Sequence, residues 1–379
     1  MSRNIKKILV FLLNDPSSGI NKYRISDPHI KLQTLFKDEF YIELAEDREI
    51  LNTERVKKFD AIFYHSVIEQ IEAIGRQTDI YKSMGIKLIV DIDDYFEYHA
   101  LHPYYAIAKN IKLKEKTLAA IKKADLVTTT SEFFVDVLRK YNKNVVCLPN
   151  SINFKEKQYQ INSIPHETVN IGYVAGSSHL EDIKLLRGVM SSTMNKNIQM
   201  QLCGFNSARE TALNSVWHKM EIEFTDNYAF KDNKFIEYLH EFIQDPYPYQ
   251  NQMKYKRVWT KPINSYCQSY DEIDIALAPL QDNKFNYYKS NLKMLEAGVK
   301  KKPIIVSGVQ PYLDGEHEKN CLIVDPRKEH KNWMKYVKQL VESEQMRIDM
   351  GENLYQYVFK NFNLDDTTKI RAEIYRNLL

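Results

Sequence analysis

Two successive series of short apolar runs, each run followed by a stretch with helical spacing, constrain this chain more than any other feature. The first series reads Lys7–Leu13, Ala61–His65, Lys87–Asp91, Leu126–Thr129 and Val145–Leu148. The intervening stretches include Ile107–Lys123 and Ser131–Tyr141, both with helical patterning. The second series reads Val169–Val174, Ile198–Cys203, Arg257–Thr260, Ile275–Pro279, Pro303–Ser307 and Cys321–Val324. Runs that are apolar on both faces suit strands buried in a parallel sheet, and strand–helix alternation builds such sheets. The expected class is therefore α/β, with two Rossmann-like domains facing across a cleft. Ligands of such sheets bind beyond the carboxyl ends of the strands.

A length of 379 residues is comfortable for two domains. The polar stretch Asn153–Glu167, which contains Pro165, reads as the linker. The expected divisions are 1–155, 168–355 and a tail over 356–379, with helical amphipathic patterning from Lys331 to Leu379. Residues 206–256 exceed a simple connection and carry Tyr228, Phe230, Phe235, Tyr238, Phe242, Tyr247, Tyr249 and Tyr255. A helix near Lys231–Ile243 and a loop at Asp245-Pro246-Tyr247-Pro248 are expected there. This aromatic insertion reads either as a satellite core on its own domain or as a surface for an acceptor or partner chain.

Charge and cysteine usage exclude several classes. Lys plus Arg number 53 and Asp plus Glu 50, so a net charge of +3 gives no general reason to expect nucleic-acid binding. The apolar runs are strand-sized, well short of the ~20 residues of a spanning helix, which leaves only peripheral membrane contact open. The N-terminal run is followed by Asn14-Asp15-Pro16 and reads as a first strand, not a signal peptide. Cys147, Cys203, Cys267 and Cys321 lack metal-ligand spacing and read as free thiols in a reducing cytoplasm.

Two strand–loop–helix passages can carry chemistry. In Ile171 to Asp182 a strand ends at Val174 and a helix is expected near Ser178, with Ser178 and Glu181 in capping-box spacing. Gly176 permits an unusual backbone angle or a close approach, and with Ser177, Ser178 and His179 it lies where helix-end N–H groups meet a phosphate. A purely structural turn fits the same residues. The second passage runs from Asp274 to Gly298. Lys289 and Ser290 are expected at a helix start, suited to a diphosphate. Glu296, seven residues on, is expected on the same helix face, where a carboxylate can accept ribose hydroxyls. In the first series Asp93 and Asp94 follow a strand, His65 ends another and Arg24 lies in the first loop. Asp93 and Asp94 read as acceptor ligands, one of them as a general base, or as structural caps. His65 reads equally as a satisfied core histidine.

These passages together resemble the family 4-like retaining glycosyltransferases of GT-B type, in their bacterial and phage branch. The matching pieces run nearly end to end: Tyr23-Arg24-Ile25, Asp91-Ile92-Asp93-Asp94, Ala124 to Thr128, Leu148-Pro149-Asn150-Ser151-Ile152, Ile171-Gly172-Tyr173 with His179 and Asp182, Phe285 to Gly298, Pro303–Ser307 and Asn320–Asp325. The resemblance implies transfer of a sugar, with retention, from a nucleotide-diphosphate sugar to an acceptor hydroxyl. It makes 1–155 the acceptor side and 168–355 the nucleotide-sugar domain, and it sends the tail back to the first domain. It implies that Glu296 holds the ribose. The family's first acid, which contacts the transferred sugar, falls at Tyr288, and His179 stands where the family places cationic side chains. No metal or other cofactor is implied. A bacterial surface glycan or teichoic acid is the first acceptor expected, ahead of hydroxymethylated phage DNA or protein. The competing reading is a catalytically silent GT-B module that binds or stabilises a partner glycosyltransferase.

Overall fold

The computed structural model describes residues 5–15, 18–162, 164–206, 216–233, 236 and 253–379. They form two compact units. One comprises Met1–Asn153, Tyr288–Ser290 and Phe362–Leu379, and the other Phe154–Tyr287 and Asn291–Asn361. Each unit is built on a six-stranded parallel sheet.

In the first unit the strands are β1 (Lys6–Leu12), β2 (Phe40–Glu46), β3 (Ala61–His65), β4 (Lys87–Ile92), β5 (Leu126–Thr129) and β6 (Val145–Cys147). Their order is β2-β1-β3-β4-β5-β6, a doubly wound arrangement whose switch point lies between β1 and β3. The strand β2 escapes a search for apolar runs. It is an edge strand whose buried Phe40, Ile42 and Ala45 are interspersed with Tyr41, Glu43 and Glu46, polar positions that suit a solvent-exposed edge. The helical stretch expected over 107–123 is broken in two, Tyr105–Asn110 and Leu113–Lys123, because Lys112 is left-handed at φ 53°. Ile8, Val10, Phe40, Ile42, Ala61, Phe63 and Ile89 build the core, and Ala372 and Tyr375 of the last helix, Leu364–Leu378, complete it. Tyr375 Oη lies 3.0 Å from His29 Nε2, and Arg376 bonds Glu39 at 2.7 Å. The tail thus closes the first sheet's core.

In the second unit the strands are β7 (Val169–Val174), β8 (Ile198–Phe205), β9 (Tyr255–Trp259), β10 (Ile275–Ala278), β11 (Ile304–Ser307) and β12 (Leu322–Val324). The order β12-β11-β10-β7-β8-β9 reverses direction between β7 and β10, which makes that junction the binding crevice. Helices Glu329–Glu342 and Glu344–Asn361 pack onto this unit through Trp333, Val337, Leu340 and Met350. Most of the aromatic-rich 206–256 stretch, including most of the helix expected near Lys231–Ile243 and the loop at 245–248, lies outside the described residues. No helix among the described residues is long and apolar enough to cross a membrane.

Candidate functional site

At the second unit's switch point the loops after β7 and β10 meet over Asp182. Its Oδ1 accepts the Gln281 backbone N–H at 2.7 Å and Asn286 Nδ2 at 3.1 Å, and its Oδ2 holds His179 Nδ1 at 2.7 Å. One buried carboxylate therefore ties the two loops together and fixes the His179 ring, leaving Nε2 as the nitrogen available to a ligand. The local backbone differs from expectation. Gly176 precedes a 3-10 turn, Ser177–His179, and the helix Leu180–Ile183 follows with no side-chain cap. The capping box is not formed, because Glu181 bonds Lys184 at 2.5 Å instead. Gly176 adopts an ordinary extended conformation, φ −99°, and a Cβ there would meet only Ser178 Oγ at 4.0 Å. The unusual backbone angle expected of Gly176 is thus absent.

After β10 the chain runs through a short turn, Lys284–Tyr287, and then the helix Leu292–Val299. Because that helix starts at Leu292, Lys289 and Ser290 precede it, and the expectation of Lys289 and Glu296 on one helix face is overturned. Glu296 itself is only 1% exposed, so it is no solvated helix residue. Its Oε2 accepts Lys293 Nζ at 3.1 Å and Tyr270 Oη at 3.2 Å. The Lys293 ammonium also lies 5.1 Å from the Tyr266 ring centroid. Burial opposes its charge, but Glu296 and Tyr266 together outweigh that and raise the Lys293 pKa. Lys293 and Tyr270 escaped sequence reasoning. Lys293 had a signal, its i,i+3 spacing to Glu296 on a helix, whereas Tyr270 comes from a separate 3-10 turn, Tyr266–Tyr270.

The remaining expected residues gather in the first unit. Arg24, on the π-helix Asn21–Ser26, is 1% exposed. It forks onto Asp91, Nε to Oδ2 at 2.9 Å and Nη2 to Oδ1 at 2.7 Å, and its Nη1 donates to the Leu148 carbonyl at 2.6 Å and Asn150 Oδ1 at 3.2 Å. Thr128 Oγ1 donates to Asp91 at 2.5 Å. Arg24 is thus committed to the protein interior. His65 is fully buried. Its Nδ1 accepts the Val67 N–H at 3.3 Å, and its Nε2 lies 2.9 Å from Asp93 Oδ1 at ion-pair distance, without hydrogen-bond alignment. Burial disfavours the imidazolium, yet Asp93 and Asp91 outweigh it and raise the His65 pKa. Burial also opposes the Asp93 carboxylate, but His65, with Arg24 and Lys289 behind it, outweighs burial and holds it at about 2. So acidic a group is a weak proton acceptor near neutral pH, and better suited to accepting hydrogen bonds.

Asp94 is paired with Lys289 at 3.3 Å, and Ser290 Oγ accepts Asn150 Nδ2 at 2.9 Å. Tyr288 is buried among Tyr95, Phe134 and Phe133, with ring centroids 4.7, 5.0 and 5.3 Å away. The structure therefore brings Arg24, His65, Asp93, Asp94 and the 288–290 segment together in one unit. It places Gly176, Ser177, Ser178, His179 and Glu296 in the other. Among the described residues no group of three or more His, Cys, Asp or Glu side chains is placed to hold a metal ion.

No family model matches the chain, and no curated protein matches it in sequence. Solved structures do match it over nearly its whole length. Sucrose-phosphate synthase from Thermosynechococcus elongatus aligns with 98% of this chain and 99% of its own, at 13% identity and a TM-score of 0.69. Anabaena HepE, in complex with UDP and glucose, covers 98% of this chain and 100% of its own, at 11% identity and a TM-score of 0.63. An E. coli trehalose-6-phosphate protein bound with UDP-2-fluoro glucose covers 97% and 99%, at 13% identity and a TM-score of 0.59. The fold is GT-B. Identities this low speak to the architecture and leave the chemistry to be argued from the chain's own side chains.

Proposed function

We propose that this chain is a glycosyltransferase that takes a sugar from a nucleotide-diphosphate sugar and moves it, with retention, to an acceptor hydroxyl. The observation that carries the reading is the buried cluster of Glu296 and Lys293, on the helix that follows β10, with Tyr270 from the turn Tyr266–Tyr270. A carboxylate is an acceptor-only group with room for paired hydroxyls, and Glu296 matches the ribose-binding acid of the family 4-like enzymes by position. Gly176, Ser177, Ser178 and the Asp182-oriented His179 are assigned to the diphosphate. Catalysis then rests on positioning and on stabilising the departing diphosphate, not on a metal ion. HepE and the E. coli protein, both bound to uridine nucleotides or their sugars, support the choice of a UDP sugar as the first donor to try. Asp93 and Asp94 are assigned to the acceptor side, with a bacterial surface glycan as the first acceptor to try.

Tyr288 favours a second reading. It replaces the acid that touches the transferred sugar and is packed in an aromatic box, while Lys289 and Ser290 bond Asp94 and Asn150. A silent GT-B module that serves a partner glycosyltransferase fits those contacts. Incubating the chain with a panel of nucleotide sugars, and measuring binding and release of the nucleoside diphosphate, separates the two. Binding with slow hydrolysis is expected of the transferase, and binding without any release across the panel indicates the silent module. No binding at all would sink both.

A further inference from the structure

The segment from Leu101 to Lys123 in the first unit presents apolar side chains to solvent where a packed helix would bury them. The helix Tyr105–Asn110 has no buried residue. Leu101 is 71% exposed, Ile107 59%, Tyr104 52% and Ile111 43%. Ile107 lies on that helix, Leu101 and Tyr104 on the turn before it and Ile111 just after it, so all four fall within one short exposed stretch. Leu101, Tyr104 and Ile107, each more than half exposed, line no recess among the described residues, and so much exposed apolar surface is costly to leave in water.

The stretch is set in positive charge. Between Leu101 and Lys123 stand Lys109, Lys112, Lys114, Lys116, Lys122 and Lys123, against Glu115 alone. Lys114, Lys116 and Lys123 are paired with Glu97, Glu72 and Asp79, at 2.9, 2.8 and 3.4 Å. Among the described residues Lys109 and Lys112 form no ion pair, and Lys109 lies 5.9 Å from the Tyr105 ring centroid. Lys112 and Ile111 also enter a groove of about 620 Å³ between helices Ile71–Ser83 and Leu113–Lys123, floored by Ile71 and Ile74.

We infer that this face docks onto an anionic lipid bilayer. Aliphatic residues with a tyrosine, flanked by lysines, match the two layers of such a surface: acyl chains and headgroup boundary for the apolar side chains, anionic headgroups for the ammonium groups. A bilayer accepts projecting side chains without a preformed complementary pocket, which a protein partner would have to supply. The chain needs no spanning helix to reside there, and it shows none among the described residues. The inference stands independently of the catalytic reading.

The test is co-sedimentation of the full chain with vesicles of phosphatidylcholine, with and without phosphatidylglycerol. Two double variants are compared, Leu101→Glu with Ile107→Glu and Lys109→Glu with Lys112→Glu. Ile370→Glu, at a residue 50% exposed elsewhere in the first unit, is the control. Unchanged melting temperatures establish that the exposed substitutions leave the fold intact. The expected result is binding to the phosphatidylglycerol vesicles that weakens as salt is raised. Each double variant should lose it by about tenfold or more, as removal of two apolar anchors or two cations implies, and the control should retain it. Three results would overturn the inference: no vesicle binding, binding indifferent to phosphatidylglycerol, or double variants that bind like the wild type. Self-association that the Leu101/Ile107 variant abolishes, without vesicle binding, would assign the stretch to a second copy of the chain instead.

Discussion

Asp93 and His65 form a pair whose charges depend on each other, and pH is the lever that exposes it. The Asp93 pKa is depressed to about 2, so its contribution to stability is present above the unfolded value of about 4 and fades as pH falls toward 2. The His65 pKa is raised, so its contribution is full below the unfolded value of about 6.5 and is lost as pH rises through the folded value. The stability difference between wild type and Asp93→Asn should therefore be greatest between pH ~4 and ~6.5 and shrink on either side. An NMR titration of His65 should give a pKa above 6.5 that drops in Asp93→Asn; an unmoved value would refute the coupling. Arg24 poses a different question. Its fork onto Asp91 is buried at both ends, 1% exposed on each side chain, and deleting one partner strands a charge. Arg24→Met should cost about 3–5 kcal/mol of folding stability, read as a lower urea midpoint. A loss under about 1 kcal/mol would mean that the pair adds no more than a surface ion pair. At this scale the sequence offered candidate residues but not their partners. Glu296 and Asp93 were visible by position, whereas the Asp91 fork and the Tyr270 contact depend on long-range folding that no local pattern records.

Among elements, β8 shows how a strand shapes the loop beside it. Gly204 sits at φ 109°, at a register shift against β9 between Cys203 and Phe205. A Cβ there would come within 2.2 Å of the Ala175 carbonyl oxygen, the residue that leads into Gly176. Gly204→Ala should destabilise the fold by about 1–3 kcal/mol and weaken nucleotide binding through the displaced 175–179 loop. Gly75 provides the contrast, because it lies inside the helix Ile71–Ser83 with nothing within 4 Å of a built Cβ. Gly75→Ala should stabilise by about 0.5–1 kcal/mol. Thermal or urea unfolding of both variants checks the pair, and equal effects of the same sign would contradict the account. Element boundaries were legible wherever strands are apolar on both faces, as in β3, β5 and β7. They were not legible at β2, whose outward residues are polar, or at Lys112, whose left-handed turn divides a continuous helical pattern.

For the molecule as a whole, two doubly wound sheets account for both sets of candidate residues. Strand order places the β7–β10 crevice in one unit and the β1–β3 crevice in the other, and loops at carboxyl ends then collect the polar side chains. That architecture was readable from the two series of apolar runs, but the placing of residues 288–290 with the first unit was not. A helix start near Lys289 was a reasonable local expectation. Tyr288 escapes it by joining Tyr95, Phe133 and Phe134, a packing preference that only the folded chain displays. The central claim, that the second unit holds a nucleoside diphosphate through Glu296, is most directly tested by calorimetric titration of UDP and GDP into the wild type and into Glu296→Gln. The account predicts that one of the two nucleotides binds the wild type and that the variant, still folded, loses about 1.5–3 kcal/mol of that affinity, the scale of hydrogen bonds to a charged group. Unchanged affinity in a folded variant, or no binding of either nucleotide to the wild type, would contradict it.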